Sequence, residues 1–293
     1  MNYNREMLLR RAFLLAPLVP VLQGQDRQPN MFGDAEAYEQ FMGRWSRLVA
    51  PRLVEFTGLP ERGRILDIGS GTGSLAFAIA ERNVRARVLG IDPSKEYVAY
   101  ATSRNPYPDR ASFEVGDAQQ LHFPDASFDA ALSLLVFNFI PDPTKALLEL
   151  RRVIKPGGKL SAAVWDYGAG MRMLRTFWDA AVHIDPGAEK LDEKHMPLCR
   201  AGEMSALWRQ GSLENVREQS IDIRMRFKSL ADYWDPFLLG QGPAGSYVRH
   251  LDREKLQALR NEVKLRLSLS AEDTPLVLLG RVWSVRGIVP NRR

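Results

Sequence analysis

Cysteine is almost absent: Cys199 stands alone among 293 residues. No disulfide can close within the chain, which excludes a cystine-stapled scaffold and suits a reducing compartment. Histidine is scarce as well, with four copies at His122, His183, His195 and His250. Their scatter offers no metal-ligand spacing, so no metal is expected. Long apolar runs are also missing. The stretch Ala12 to Leu22 has 11 residues and two prolines, whereas a spanning helix needs about 20 residues, so no stable membrane anchor is expected. Nor does one sign of charge prevail, with 40 basic and 35 acidic residues and a net charge of +5. That balance lacks the dense basic face of most nucleic-acid binders, and no nucleic-acid partner is expected.

Residues 1–30 differ from the rest. Four arginines face one Glu and one Asp there, and Arg10-Arg11 precedes the apolar run. Twin arginines in that position are similar to an export signal, but the prolines and the lack of an A-x-A site argue against one. The expectation is an N-terminal extension over 1–30, dispensable or signal-like, followed by one domain over 31–293. Cytoplasmic residence is expected, with export as the alternative.

What the chain does have is Ile65-Leu66-Asp67-Ile68-Gly69-Ser70-Gly71-Thr72-Gly73. A short strand runs into three alternating glycines, and Ser74 to Glu81 then reads as a helix. Strand, glycine turn and helix N-terminus set bare backbone amides against a ligand with no Cβ in the way. The spacing narrows the ligand. A dinucleotide fingerprint has its third glycine one residue later, where Ser74 stands, and a phosphate loop ends in Gly-Lys-Ser/Thr. D-x-G-x-G-x-G without a lysine suits a ligand free of phosphates, such as S-adenosylmethionine.

The context extends the pattern. Arg87 to Asp92 reads as a second strand ending in an acid, 19 residues past Gly73. A doubly wound sheet puts its ribose-binding carboxylate there. Ala111 to Ala118 and Phe128 to Leu135 read as the third and fourth strands. Asp142-Pro143 starts a helix with apolar positions Ala146, Leu147, Leu150, Val153 and Ile154. Lys155 to Gly158 ends it before a fifth strand, Lys159 to Trp165. Gly33 to Phe56 reads as helical, with Tyr38, Phe41, Met42, Trp45, Leu48 and Val49 on one face.

These elements, ILDIGSGTG, GIDPS, EVGDAQQLHFPDASFDAALSLL and ELRRVIKPGGKL, occur in the order and spacing of the class I S-adenosylmethionine-dependent methyltransferases. The chain resembles their small-molecule and quinone-biosynthesis (type 11) branch over roughly 35–167. The resemblance implies an α/β doubly wound, mostly parallel seven-stranded sheet with a final antiparallel strand, here Val282 to Val289, and helical insertions at about 168–200 and 228–280. In the first insertion Met171 to Ile184 reads as a helix and Asp185 to Leu198 as an irregular loop. Past it, Ala201 to Gln210 reads as a helix and Asn215 to Phe227 as an edge strand. The second insertion reads as a Pro/Gly-rich turn, Gly240 to Gly245, and a charged helix from Asp252.

The resemblance also implies the cofactor site. Asp67, Gly69, Gly71 and Gly73 would meet the methionine portion of S-adenosylmethionine, Asp92 the ribose, and Asp117 and Ala118 the adenine. Ser133, at the end of the fourth strand, and Tyr38, in the helix over the cofactor, complete the candidate set. Each has a plainer reading: a tight turn for the glycines, a helix cap for Asp92, a strand-end turn for Asp117, core packing for Tyr38. Arg224, Arg226 and Lys228 alternate along the edge strand, as charges that discourage edge pairing do. No catalytic residue is identified, although His195 is a candidate base in the first insertion. The expected activity is methyl transfer to a small, partly apolar acceptor. Trp165, Phe177, Trp178, Tyr233, Trp234 and Phe237 are candidates to enclose it. A non-catalytic S-adenosylmethionine-binding protein and an RNA or protein methyltransferase are the alternatives, and the oligomeric state is not legible.

Overall fold

A computed structural model describes residues 34–291; the expected extension over 1–30 lies outside them. Seven strands form one sheet: β1 Arg62–Ile68, β2 Arg85–Asp92, β3 Ala111–Val115, β4 Phe128–Leu134, β5 Ile154–Trp165, β6 Glu214–Phe227 and β7 Leu276–Ile288. Their order across the sheet is β3-β2-β1-β4-β5-β7-β6. The first five run parallel, and β7 pairs antiparallel with both β5 and β6. This is the doubly wound, mostly parallel sheet expected from the sequence. Central strands read as continuous apolar runs because helices cover both faces of a parallel sheet. Ile65, Leu66 and Ile68 on β1 and Ala130, Ala131 and Leu132 on β4 are accordingly fully buried.

The helices, in chain order, are α1 Ala35–Tyr38, α2 Arg44–Thr57, α3 Ser74–Arg82, α4 Lys95–Ser103, α5 Pro143–Val153, α6 Arg172–Ile184, α7 Glu203–Gln210, α8 Leu230–Leu238, α9 Gly242–Arg249 and α10 Arg253–Arg266. A π-helical turn, Glu39–Gly43, joins α1 to α2. Several starts are written in the sequence. Asp142 accepts from the Lys145 amide with Pro143 in the first turn of α5, and Ser94, Ser229 and Asp252 cap α4, α8 and α10 in the same way. Gly58, in the left-handed region, ends α2.

Strand order reverses between β1 and β4, which opens a crevice at their carboxyl ends. The glycine turn after β1, Asp92 at the end of β2, Asp117 after β3 and Tyr167 after β5 all lie at this end of the sheet.

Four segments depart from expectation. The stretch read as a Gly240–Gly245 turn is a turn only at Gly240, and Gly242–Arg249 is helical, with Pro243 at its start. Proline in the first turn of a helix loses no intrahelical hydrogen bond, so Gly-Pro here opens a helix. The irregular loop over 185–198 contains two 3-10 turns, Pro186–Leu191 and Glu193–His195, capped by Asp185 and Asp192. Lys155 to Gly158 belong to β5, which follows α5 directly and absorbs a register shift opposite Phe128 and Ala130. The last strand begins six residues early, at Leu276, because it pairs with β6 along its full length to Phe227. As expected, β6 is the edge strand; it buries Ile221, Ile223, Met225 and Phe227 and exposes Arg224 and Arg226.

Candidate functional site

The turn after β1 is held by its neighbours. Gly69, Gly71 and Gly73 all have positive φ, at 65°, 52° and 94°. A Cβ on Gly69 would strike Val136 at 2.5 Å, and one on Gly73 would meet Phe77 at 2.6 Å and Phe113 at 3.2 Å. Around Gly71 nothing lies within 4 Å of that position, so this glycine faces open space. The Ser70 amide donates to the Ile91 carbonyl at 2.9 Å, and the Gly73 amide donates to the Ser70 carbonyl at 2.8 Å. These bonds tie the turn to β2 and close it onto α3.

Two acids lie beneath it. Asp92 is 7% exposed. One carboxylate oxygen accepts from the Gly71 amide and the other from the Ser94 amide, both at 2.9 Å. Burial raises its pKa, and the two amide bonds oppose that rise. Asp67 is fully buried, and neither carboxylate oxygen closes a hydrogen bond, although the group faces the Ala76 amide in the first turn of α3. Burial pushes its pKa up to about 8, and the nearby Asp92 adds to the rise. Among the described residues neither acid takes part in an ion pair. An isolated buried carboxylate is costly, and a cationic ligand group is its natural partner.

The other candidates lie around this centre. The Tyr38 ring packs against Tyr97 of α4 at 5.5 Å, and its hydroxyl meets Ser46 Oγ at 3.2 Å. Burial raises its pKa to about 12, with Asp92 among the nearby charges. Asp117 is exposed, and its carboxylate accepts from the Gln119 amide at 2.8 Å, so here it forms a strand-end turn. Ala118 beside it is buried. Ser133 is fully buried and donates to the Ile68 carbonyl at 3.0 Å. Its side chain therefore links β4 to β1 under the turn and does not point into the crevice.

The far side of the crevice holds residues that spacing alone does not single out. Asn138, in the short turn Phe137–Phe139 after β4, is 5% exposed, and its side-chain amide pairs with the hydroxyl of Tyr167, whose pKa burial drives well up. Glu193 is 4% exposed and accepts from Trp178 Nε1 at 2.8 Å. Burial raises its pKa to about 7. The neighbouring Asp192 takes a two-pronged contact from Arg175, at 2.9 and 2.6 Å, and this buried pair pins the 3-10 turn onto α6. His195, the candidate base, is half exposed and bonded to Glu189. His122 is exposed too.

The aromatic residues of the insertions pack on one another. Phe177 stacks on Phe237 at 4.5 Å and meets Trp178 edge-on at 5.3 Å, and Tyr233 donates to the Met173 carbonyl at 2.7 Å. Trp165, Phe177, Trp178, Tyr233, Trp234 and Phe237 are all buried. They form the core beneath the acceptor side, where the sequence had suggested an enclosing wall. Trp45 likewise packs on Phe227 of β6 at 5.0 Å.

S-adenosylmethionine fits this site. Its ammonium and sulfonium would supply the positive charge that the unpartnered Asp67 lacks, and Gly71 leaves room for the methionine portion beside Asp92. Comparison with known proteins agrees. A methyltransferase-domain family of type 11 matches residues 66–162. The chain is 36% identical over 124 residues to a 2-methyl-6-phytyl-1,4-hydroquinone methyltransferase of Synechocystis, covering 42% of this chain and 39% of that protein. It is 29% identical over 143 residues to a ubiquinone/menaquinone biosynthesis C-methyltransferase of Geobacter sulfurreducens, covering 46% and 56%. The chain thus spans about half the length of these relatives or less. Among solved structures, a phosphoethanolamine N-methyltransferase of Haemonchus contortus in complex with S-adenosyl-L-methionine aligns with a TM-score of 0.54 at 19% identity, over 88% of this chain and 57% of that one. The [4+2]-cyclase SpnF aligns with a TM-score of 0.53 at 21% identity, over 84% and 82%. At such identities the likeness shows a shared fold, and a cyclase within it shows that fold alone does not decide the reaction.

Proposed function

We propose that this chain, which carries a class I S-adenosylmethionine-dependent methyltransferase domain of the type 11 branch, transfers a methyl group to a small, partly apolar acceptor at the mouths of β4 and β5. The observation that carries the reading is the buried carboxylate of Asp67, which meets the Ala76 amide but no cationic side chain among the described residues, under an open glycine turn. When bound, S-adenosylmethionine supplies a methyl group already activated by its positive sulfur. The protein's part is then placement. In-line displacement with a neutral leaving group gains mostly from proximity and alignment, which can be worth about 7–11 kcal/mol.

Each residue of the set has a task in this reading. Asp67 balances the positive charge of the methionine portion. Asp92 receives the ribose hydroxyls at the end of β2, and Tyr38 closes the site from the α1 side. Ala118 and the Asp117 turn receive the adenine. Ser133 holds β4 against β1 and does not touch the ligand. The names of the relatives favour a hydroquinone-like or other partly apolar acceptor. The aliphatic pair Leu134-Leu135 at the end of β4 is compatible with such a molecule. Incubating the full chain with methyl-labelled cofactor and fractionated metabolite extracts tests the reading. Label should pass to small, extractable molecules; label found only in RNA or protein would refute it.

A further inference from the structure

Two tyrosines face each other near Asp92, Tyr38 on α1 and Tyr97 on α4. Their rings lie 5.5 Å apart and are tilted by 50°. Hydrogen bonds that lead back to the glycine turn set the position of Tyr97. One oxygen of Asp92 accepts from the Gly71 amide and the other from the Ser94 amide, both at 2.9 Å. Ser94 in turn caps α4, its hydroxyl accepting from the Tyr97 amide at 3.2 Å. Tyr97 is thereby fixed in the first turn of α4, against the strand end that carries Asp92, and is 5% exposed.

The two hydroxyls differ in what they have left to give. Ser46 Oγ donates to the Met42 carbonyl at 3.2 Å. Its lone pairs then receive the Tyr38 hydroxyl, also at 3.2 Å, so the Tyr38 proton is spent inside the protein. The Tyr97 hydroxyl is buried and closes no hydrogen bond among the described residues. Near it lie Tyr38, Asp92, Asp34 and Glu39. Burial holds the Tyr97 hydroxyl protonated, and these neighbours add to the effect. A protonated phenol among carboxylates is a hydrogen-bond donor. Native structures rarely leave a buried donor without an acceptor, and a ligand is where this one finds it.

A ribose hydroxyl suits both neighbours at once. It has one proton to give and lone pairs to receive, and each Asp92 oxygen can accept a second bond beside its amide. Resting on the methyltransferase reading, we propose that Tyr97, and not Tyr38, donates a hydrogen bond to a ribose oxygen of S-adenosylmethionine. Asp92 and Tyr97 then read one hydroxyl as donor and as acceptor. An adenosyl group without that hydroxyl leaves both protein groups idle, so the site selects a ribosyl over a deoxyribosyl ligand.

Calorimetry on the full chain tests the assignment, with S-adenosylhomocysteine and its 2′-deoxy and 3′-deoxy analogues as probes. Tyr97→Phe keeps the ring against Tyr38 and removes only the hydroxyl. It should weaken S-adenosylhomocysteine by about tenfold, the size of one such hydrogen bond. The preference of the wild type for S-adenosylhomocysteine over one of the two analogues should fall by a similar factor in the variant, and its preference over the other should stay. Without ligand, urea denaturation of Tyr97→Phe should show a stability equal to that of the wild type or higher, because the lost hydroxyl has no partner in the free protein. Unchanged affinity of folded Tyr97→Phe for S-adenosylhomocysteine, an unchanged preference over both analogues, or a less stable free variant would each overturn the proposal. Failure of the wild type to bind S-adenosylhomocysteine would instead strike the methyltransferase reading on which it rests.

Discussion

At the mouth of β1 the backbone does the shaping. Three glycines with positive φ follow one another at alternate positions, and Asp92 grips the turn through the Gly71 amide while its other oxygen accepts from the Ser94 amide. At the mouth of β5 side chains do it. A buried arginine–aspartate pair, an indole N–H and a stack of aromatic rings hold an otherwise irregular segment in place. The first region is local in sequence and tolerates little change of residue type. The second is assembled from α6, the first insertion and the second insertion, so its integrity depends on distant partners. One end of the crevice is written as a motif, and the other is written as a set of contacts.

Breaking the contact-built side should have the largest effect. Arg175→Met strips the buried Asp192 of its two-pronged guanidinium contact and leaves it the Lys194 ammonium at 3.5 Å and the Lys194 amide, and removing one member of a buried pair costs about 3–5 kcal/mol. Urea denaturation should show that loss. If enough folded protein remains, affinity for S-adenosylhomocysteine should be nearly unchanged, because the glycine turn does not touch the pair. A large loss of affinity at unchanged stability would erase the distinction between the two regions.

Damage to the motif-built side should be next in size. Gly69→Ala forces a side chain into a left-handed conformation and against Val136. The backbone strain alone costs about 1–3 kcal/mol. Here affinity and stability should fall together, in contrast to Arg175→Met, as calorimetry and denaturation on the same preparation would show. Wild-type stability and affinity would indicate that the turn relaxes freely and has no special shape.

The buried acids sharpen the comparison through pH. Asp67 and Glu193 both have folded-state pKa values raised above those of the unfolded chain, to about 8 and about 7. A raised acid binds its proton more tightly when folded, so its contribution is full below the unfolded pKa and is lost as pH rises through the folded one. Stability of the free protein should therefore decline from about pH 4 to pH 8, by at most about 1.4 kcal/mol per pH unit per group. Asp67→Asn should reduce the decline throughout and end it near pH 7, whereas Glu193→Gln should reduce it only between about 4.5 and 7 and leave the decline above 7 intact. A flat profile in the wild type would contradict both assignments.

The smallest effect belongs to the edge strand. The Asp222–Arg281 pair is half exposed, and such pairs contribute about 0–1 kcal/mol. Asp222→Ala should shift stability within that range and leave affinity untouched. A shift of several kcal/mol would show that β6 and β7 carry more of the fold than their exposure suggests.

How much of this was legible follows from the same contrast. The sheet was readable because β1, β4 and β5 carry apolar runs and β1, β2 and β3 end in glycine or acid, signals that lie within a few residues of one another. Asp67, Gly69, Gly71, Gly73 and Asp92 were singled out by such local signals and by the resemblance they carry, and the structure brings them together around one turn. Glu193 was not, since its burial depends on Trp178, 15 residues earlier in the chain; nearby His195 drew attention by residue type and lies outside. Asn138 carries no spacing signal at all. The helix Gly242–Arg249 was obscured because Gly-Pro marks a turn about as readily as a helix start. The aromatic residues of the insertions were visible, but composition does not separate a wall facing a ligand from a core facing itself.

Calorimetric titration of S-adenosylmethionine into the full chain and into Asp92→Ala tests the central claim most directly. The carboxylate of Asp92 braces Gly71, and in the proposed function it receives the ribose hydroxyls. Hydrogen bonds to a charged acceptor contribute about 1.5–3 kcal/mol each. Binding should thus weaken by about tenfold or more while the melting profile stays cooperative. Equal affinity in the folded variant, or no binding by the wild type, would contradict the account.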